Sequence, residues 1–299
     1  MIRPINFGFN DETSKDNHYQ KKIYKKNIAQ LAVEEFENLV WHLKKSGIDV
    51  HVYNEDNIYK TPDSVFPNNW ISTHQNGDVV LYPMLAKSRR KERRPEILYF
   101  LKNQGFIINN EIDYSFAEQE SQFLEGTGSM ILDRKNKIAY CSISERSNKE
   151  LFIKFCKDFK YIPVSFHSFQ DVAKKRLPIY HTNVMMCLAE SYCIICLDCI
   201  DDREERINVI NFLENSEKEL IEISENQVGN FAGNMLELIN NKEESLLVMS
   251  KSAENSLNEN QKNIITKYSR IVSSDINTIE VCGGGSARCM IAEIFLPKK

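Results

Sequence analysis

The sequence predicts an α/β fold built from about five strand–strand–helix–strand modules arranged in a ring. Two observations carry this. Apolar hairpins recur from residues 70, 130, 184, 235 and 290, with spacings of 60, 54, 51 and 55. The residue before each hairpin forms a column, Asn69, Gly128, Asn183, Asn234 and Cys289. In a ring of equivalent modules such a column faces one central site. The competing reading is a chance likeness among ordinary α/β elements.

The elements follow in chain order. Residues 2–10 read as a short strand and a turn. From Ile28 to Lys45, the positions Ile28, Leu31, Ala32, Phe36, Leu39, Val40 and Leu43 share one helical stripe. Gly47 ends this helix and Ile48–Tyr53 alternates as a strand. The hairpin from Trp70 to Pro83 turns at Asn76-Gly77, followed by a charged helix from about Arg89 to Asn103 and a strand at Phe106–Ile108. The second hairpin, Met130–Ser142, leads to a helix near Asn148–Phe159 and a strand at Ile162–Phe166. The third, Val184–Cys196, leads to Arg203–Glu214 and Glu219–Ile223. The fourth, Met235–Val248, leads to Asn260–Ser269 and Arg270–Val272. The fifth opens at Met290 and needs the N-terminal segment to complete it. Using both chain ends to finish one module leaves few exposed edges. No composition shift or Pro/Gly/Ser linker interrupts the chain, so residues 1–299 read as a single catalytic domain.

Composition narrows the function classes. The chain has 299 residues, 42% of them hydrophobic, enough for a substantial core. A net charge of −4 gives no basic excess for nucleic acid. Met1 to Gln30 holds no apolar signal-peptide core, and there is no apolar run long enough for a membrane span. The eight cysteines fit reduced thiols in the cytoplasm better than a disulfide framework.

The chemistry concentrates near the C-terminal end, in Val281-Cys-Gly-Gly-Gly-Ser-Ala-Arg-Cys289. A glycine-rich loop leaves room for a substrate before the cysteine, whose thiolate is a nucleophile when local amides or a cation stabilise it. The plainer reading is a buried thiol after a turn. Two further reactive residues lie within three positions of the column: Glu125 and His181. His74 and His167 lie off it and read as surface or structural residues. Asn234 fits the column, or simply caps a turn. Cys193, Cys196 and Cys199 lie on a strand-like segment, where i and i+3 point to opposite faces; they read as buried thiols rather than metal ligands. The basic run Lys87–Arg94 is either a solvated helix start or an anion site.

The motifs Phe66-Pro-Asn-Asn69, Glu125-Gly-Thr-Gly128, His181-Thr-Asn183 and Gly285-Ser-Ala-Arg-Cys289 resemble the active-site signatures of the guanidine-modifying (pentein) superfamily. That superfamily holds arginine deiminases, dimethylarginine hydrolases and amidinotransferases. The resemblance covers nearly the whole chain and implies a five-bladed α/β propeller of ββαβ modules. It is strongest to the citrulline utilization hydrolases, through the opening Arg3-Pro-Ile-Asn-Phe-Gly-Phe-Asn10, the Phe66–Trp70 stretch and Arg89-Arg-Lys-Glu-Arg-Arg94. It implies Cys289 as nucleophile, His181 as acid/base and Glu125 as the catalytic glutamate. It also implies that Phe66, Asn69 and Asn183 line the substrate site and that an arginine after the second strand, taken as Arg90, binds the substrate carboxylate. Arginine deiminases carry aspartates where this chain has Asn69 and Asn183.

That departure has a charge consequence. A buried guanidinium needs carboxylate partners, whereas a ureido group is neutral and its oxygen accepts hydrogen bonds. An amide both donates and accepts; an ionised carboxylate only accepts. The expectation is therefore a cysteine hydrolase that converts citrulline to ornithine, CO2 and ammonia through a thioester on Cys289. Hydrolysis of arginine or a methylated arginine is the alternative, and a non-catalytic binding protein a more distant one. No metal or organic cofactor is required. The expected partner is a small amino acid, with no nucleic acid and no membrane; a homo-oligomer is left open.

Overall fold

The computed structural model describes residues 1–24, 27–56 and 58–299. The repeat is visible as four three-stranded sheets of one plan. Each begins with an antiparallel hairpin, and a helix then carries the chain to a third strand parallel to the second. The first sheet uses Ile71–Thr73, Asp78–Leu81, the helix Pro95–Asn103 and Asn110–Asp113. The second uses Met130–Asp133, Ile138–Ser142, Lys149–Phe159 and Ile162–Phe166. The third uses Met186–Leu188, Tyr192–Ile195, Arg203–Asn215 and Glu219–Glu222. The fourth uses Leu236–Ile239, Ser245–Ser250, Glu259–Tyr268 and Arg270–Ser274.

In each sheet the second strand is the middle one, covered along both edges and both faces. That explains its unbroken apolar character: Ala139–Cys141, Cys193–Ile195 and Leu246–Met249 are all buried. The helices start where a side chain can satisfy free backbone N–H groups. Asn148 accepts from Leu151 N at 2.9 Å, and Asp202 from Glu204 N and Glu205 N at 2.8 and 2.9 Å. Asn258 and Gln261 form a reciprocal capping box.

The remaining segments join both ends of the chain. Ile2–Arg3 pairs in parallel with Tyr53–Asn54, and the helix Ile28–Lys45 packs its apolar stripe onto a core that includes Val272, Ile279 and Met290. Four expectations shift here. The strand expected at Ile48–Tyr53 is confined to Tyr53–Asn54, where it pairs with Ile2–Arg3. The helix expected from Arg89 begins at Pro95 and is preceded by a 3-10 helix at Lys87–Glu92, because proline favours the first helical turn and holds Arg94 extended. The strand expected at 106–108 lies at Asn110–Asp113, where it can pair with Asp78–Leu81. Phe106 and Ile107 instead meet the C-terminal end, with Ile107 N donating to Pro297 O at 2.8 Å. Met290, expected to open the fifth hairpin, lies in a turn, and residues 291–297 form no strand. The hairpin Phe169–Val172/Lys175–Pro178 and the helix Asn277–Gly283 had no counterpart in the sequence reading. No described helix is long and apolar enough to cross a membrane.

Candidate active site

The column residues sit on short turns that precede each hairpin, and successive turns bond to one another. Thr127 Oγ1 donates to Asn68 O at 3.3 Å, and Thr182 Oγ1 donates to Ser129 O. Asn234 Nδ2 donates to Asn183 O at 2.9 Å, and Arg288 N to Asn234 O at 3.3 Å. Phe66 completes the set by packing against the glycine run: a Cβ on Gly283 or Gly285 would lie 2.8–2.9 Å from its ring. These bonds bring Glu125, His181 and Cys289 to one place although they lie far apart in sequence.

A small cavity forms there, lined by Thr13, Asn17, Asp63, Phe66, Asn69, Arg89, Arg146, Tyr180, His181, Gly283–Gly285 and Cys289. Cys289 is 5% exposed. Its Sγ receives Asn234 Nδ2 at 3.2 Å and Asn183 Nδ2 at 3.5 Å. His181 Nε2 meets Glu125 Oε2 at 2.8 Å, so Nδ1 is the ring nitrogen that this carboxylate does not engage. Glu125 also accepts from Leu85 N at 3.0 Å and lies 3.5 Å from Arg146 Nη1. Burial opposes its ionisation, but Arg146, His181 and Arg89 outweigh burial and hold its pKa at about 2. Burial depresses the His181 pKa below its ordinary value, with Glu125 pulling the other way. Gly128 must be glycine: a Cβ there would lie 2.3 Å from Asn69 Nδ2 and 2.8 Å from His181 Nδ1.

The cavity lining also carries charge. Arg89 is buried and forks onto Glu92, with Nε to Oε1 at 3.0 Å and Nη2 to Oε2 at 2.9 Å. Its Nη1 donates to Asn69 Oδ1 at 2.7 Å. Arg146 holds Asp16 with two nitrogens and donates to Thr13 O at 3.1 Å. Asp63 accepts from Asn10 Nδ2 at 2.7 Å through Oδ2, while its Oδ1 is buried without a partner. Burial raises the Asp63 pKa, with Arg89 opposing. Two more buried atoms of this set lack partners among the described residues: Asn69 Nδ2 and Asn183 Oδ1.

The structure thus brings Cys289, His181, Glu125, Phe66, Asn69 and Asn183 together, and Asn234 joins them. It places Arg90 elsewhere. That side chain donates to Met84 O at 2.9 Å and pairs with Glu118 at 3.3 Å, outside the cavity. Its neighbour Arg89 takes the inner place, because each residue of a 3-10 helix turns by a third of a circle. His74 is buried and stacks on Phe159, and His167 bonds Glu205 at 2.9 Å; neither lines the cavity. Cys193, Cys196 and Cys199 are buried in the core. Asp63, Arg146, Tyr180, Thr13 and Asn17 were not anticipated. Arg146 had a readable signal: it follows the second strand of its module, as Arg89 does.

Comparison with known proteins places this geometry. The cyanobacterial arginine dihydrolase ArgZ of the ornithine–ammonia cycle superposes with a TM-score of 0.74 at 18% identity, over 98% of this chain and 40% of that one. The chain therefore spans about 40% of the length of full-length ArgZ. The N-terminal domain of ArgZ bound to substrate, in a cysteine-to-serine variant, gives 0.71 at 19% identity, over 99% of this chain and 98% of that one. A histidine-to-glycine variant of dimethylarginine dimethylaminohydrolase, in adduct with S-methyl-L-thiocitrulline, gives 0.65 at 14% identity, over 97% and 96%. These likenesses establish a shared α/β fold. No curated protein matches the sequence. A family model described as N,N dimethylarginine dimethylhydrolase, eukaryotic, matches residues 3–296, nearly the whole chain, and the protein belongs to this family of the guanidine-modifying superfamily.

Proposed function

We propose that this chain is a cysteine hydrolase that cleaves the ureido group of citrulline, on a five-bladed α/β propeller formed by residues 1–299 as one catalytic domain. The observation that carries this reading is the pair of partnerless amide atoms. Arg89 only donates, so the Asn69 atom it holds at 2.7 Å is the oxygen, and the partnerless atom is the N–H donor. Asn183, whose Nδ2 reaches Cys289 Sγ, has its oxygen as the spare acceptor. A ureido group has a carbonyl for the first and N–H groups for the second. A guanidinium offers only donors and leaves the Asn69 N–H facing another donor.

The proposed reaction uses Cys289 and His181, which line the same cavity. Cys289 gives its proton to His181, and the thiolate attacks the ureido carbon. His181 returns the proton to the nitrogen that departs as ammonia, leaving a carbamoyl thioester on Cys289. Water then attacks this carbonyl while His181 takes its proton, and the thiolate leaves and is free again. The N-carboxy product loses CO2 to give ornithine. Glu125 fixes the imidazole and supports its positive charge. Arg89 and Arg146 supply cations for the α-carboxylate, the role expected of Arg90, and Asp63 Oδ1 faces the α-ammonium.

A second reading, hydrolysis of arginine or a methylated arginine, is favoured by the family model and by the spare Asp63 carboxylate oxygen. Incubating the purified protein with citrulline, arginine, agmatine and dimethylarginine, and scoring ammonia and the amine product, separates the two. Ornithine from citrulline with no turnover of the guanidines supports the ureido reading; the reverse order sinks it.

A further inference from the structure

The contacts of Asn234 go beyond a turn cap. Its amide presents both of its ends to the nucleophile: Nδ2 lies 3.2 Å from Cys289 Sγ and Oδ1 3.5 Å from the same sulfur. Cys289 N also approaches Oδ1 at 3.4 Å, and Nδ2 is shared with Asn183 O at 2.9 Å. Asn183 Nδ2 meets the sulfur from a second module at 3.5 Å. All three residues are buried.

Charged and titratable groups also face this cavity: Asp63, Arg89, Arg146, Tyr180 and His181, with Glu125 behind His181. Among the described residues, none of them makes a hydrogen bond or ion pair with Sγ. A guanidinium substrate would bring its own positive charge to the thiolate. A neutral ureido substrate brings none, so the charge that develops on sulfur must be met by the protein. An amide suits this task in both protonation states. The thiol donates to its oxygen, the thiolate accepts from its nitrogen, and the amide itself never titrates.

We infer that Asn234, with Asn183, forms a neutral two-donor cradle for the Cys289 thiolate and is a further catalytic residue. The inference rests on Cys289 being the nucleophile. Asn183 thereby has two functions, its nitrogen serving the sulfur and its oxygen the substrate.

The test is the pH profile of Cys289 alkylation by iodoacetamide, followed by peptide mass spectrometry on the intact, full-length protein. Asn234→Asp keeps the shape and the acceptor for Cys289 N but replaces a donor with a negative charge. Its profile is expected to move to higher pH, with alkylation at pH 7 slowed by about tenfold or more and the alkaline plateau retained. Asn234→Ser is expected to move it the same way by less, and decides the matter if the aspartate variant does not fold. Profiles that superimpose on that of the unmodified protein, in a variant that melts normally, overturn the cradle. Turnover by Cys289→Ser separates the two levels. An inactive serine variant with unmoved profiles removes only the cradle; an active one removes the nucleophile and the cradle with it.

Discussion

Arg89 Nη1 donates to Asn69 Oδ1 at 2.7 Å, and this bond fixes Nδ2 as the end of the amide with no partner among the described residues. Arg89 is itself fixed by the Glu92 fork and by Phe66 O at 3.0 Å, so the amide cannot flip without breaking a buried network. Asn69→Asp keeps the Arg89 contact and loses the partnerless N–H, the donor proposed for the ureido oxygen. It is expected to lower kcat/KM for citrulline by about 10–100-fold, the equivalent of one unpaired buried group. Steady-state kinetics on a variant with an unchanged melting curve checks this.

The charge argument makes a separate prediction for the unmodified protein: kcat/KM for citrulline exceeds that for arginine. With Glu125 already engaged by His181 and Arg146, Asp63 is the remaining carboxylate in the cavity wall. A guanidinium would then be short of negative charge. A ratio in favour of arginine would refute the matching of two amides to a neutral group, whatever the nucleophile.

Gly128→Ala is expected to abolish turnover. The new methyl would overlap Asn69 Nδ2 at 2.3 Å and His181 Nδ1 at 2.8 Å, pushing apart the donor and the base at once. The strain should cost about 1–3 kcal/mol of stability. Chemical denaturation together with single-turnover kinetics distinguishes a displaced site from an unfolded chain.

Glu125→Gln removes the group that opposes burial at His181. The imidazole pKa, already below 6.5, should fall further, so the acid limb of kcat/KM moves to lower pH while the maximum drops by about 10²–10³-fold. Stability should respond as well. With its pKa down from 4.5 to about 2, Glu125 stabilises the fold above pH 4.5, and this contribution is lost as pH falls towards 2. The glutamine variant should therefore lose less stability over that window, measured by urea denaturation at several pH values.

The carboxylate clamp gives a third kind of test. Arg146→Ala is expected to raise KM for citrulline at least tenfold, together with a loss of kcat through Glu125. Arg90→Ala, altered outside the cavity, should leave KM within about twofold. An elevated KM in the latter would restore the role to Arg90.

The sequence carried the repeat because middle strands must be apolar throughout, and hairpins must turn. It carried the column because equivalent turns place equivalent residues. It could not settle Arg89 against Arg90, since a 3-10 helix rotates enough per residue that one step exchanges inside for outside. Nor did it reveal Asp16 on Arg146 or Asn10 on Asp63, which join segments 130 and 53 residues apart with no periodic pattern between them. The strand misplaced at 106–108 shows a related limit. Phe106 is apolar because it packs near the C-terminal end, while the true strand, Asn110–Asp113, is polar and takes its place from ladder pairing.

The bonds between successive turns have a consequence for biosynthesis. Glu125 and His181 are polymerised well before Cys289, yet each is held by a turn whose neighbours arrive from another module. A nascent chain that has emerged as far as His181 has a base and its carboxylate but no thiol beside them. Cys289 is the last of the three to be made, after Asn183 and Asn234, the two amides that contact its sulfur in the folded chain. Cys289 is therefore sheltered only when the turns carrying Asn183 and Asn234 have folded around it, and an unfolded chain exposes it as an ordinary thiol.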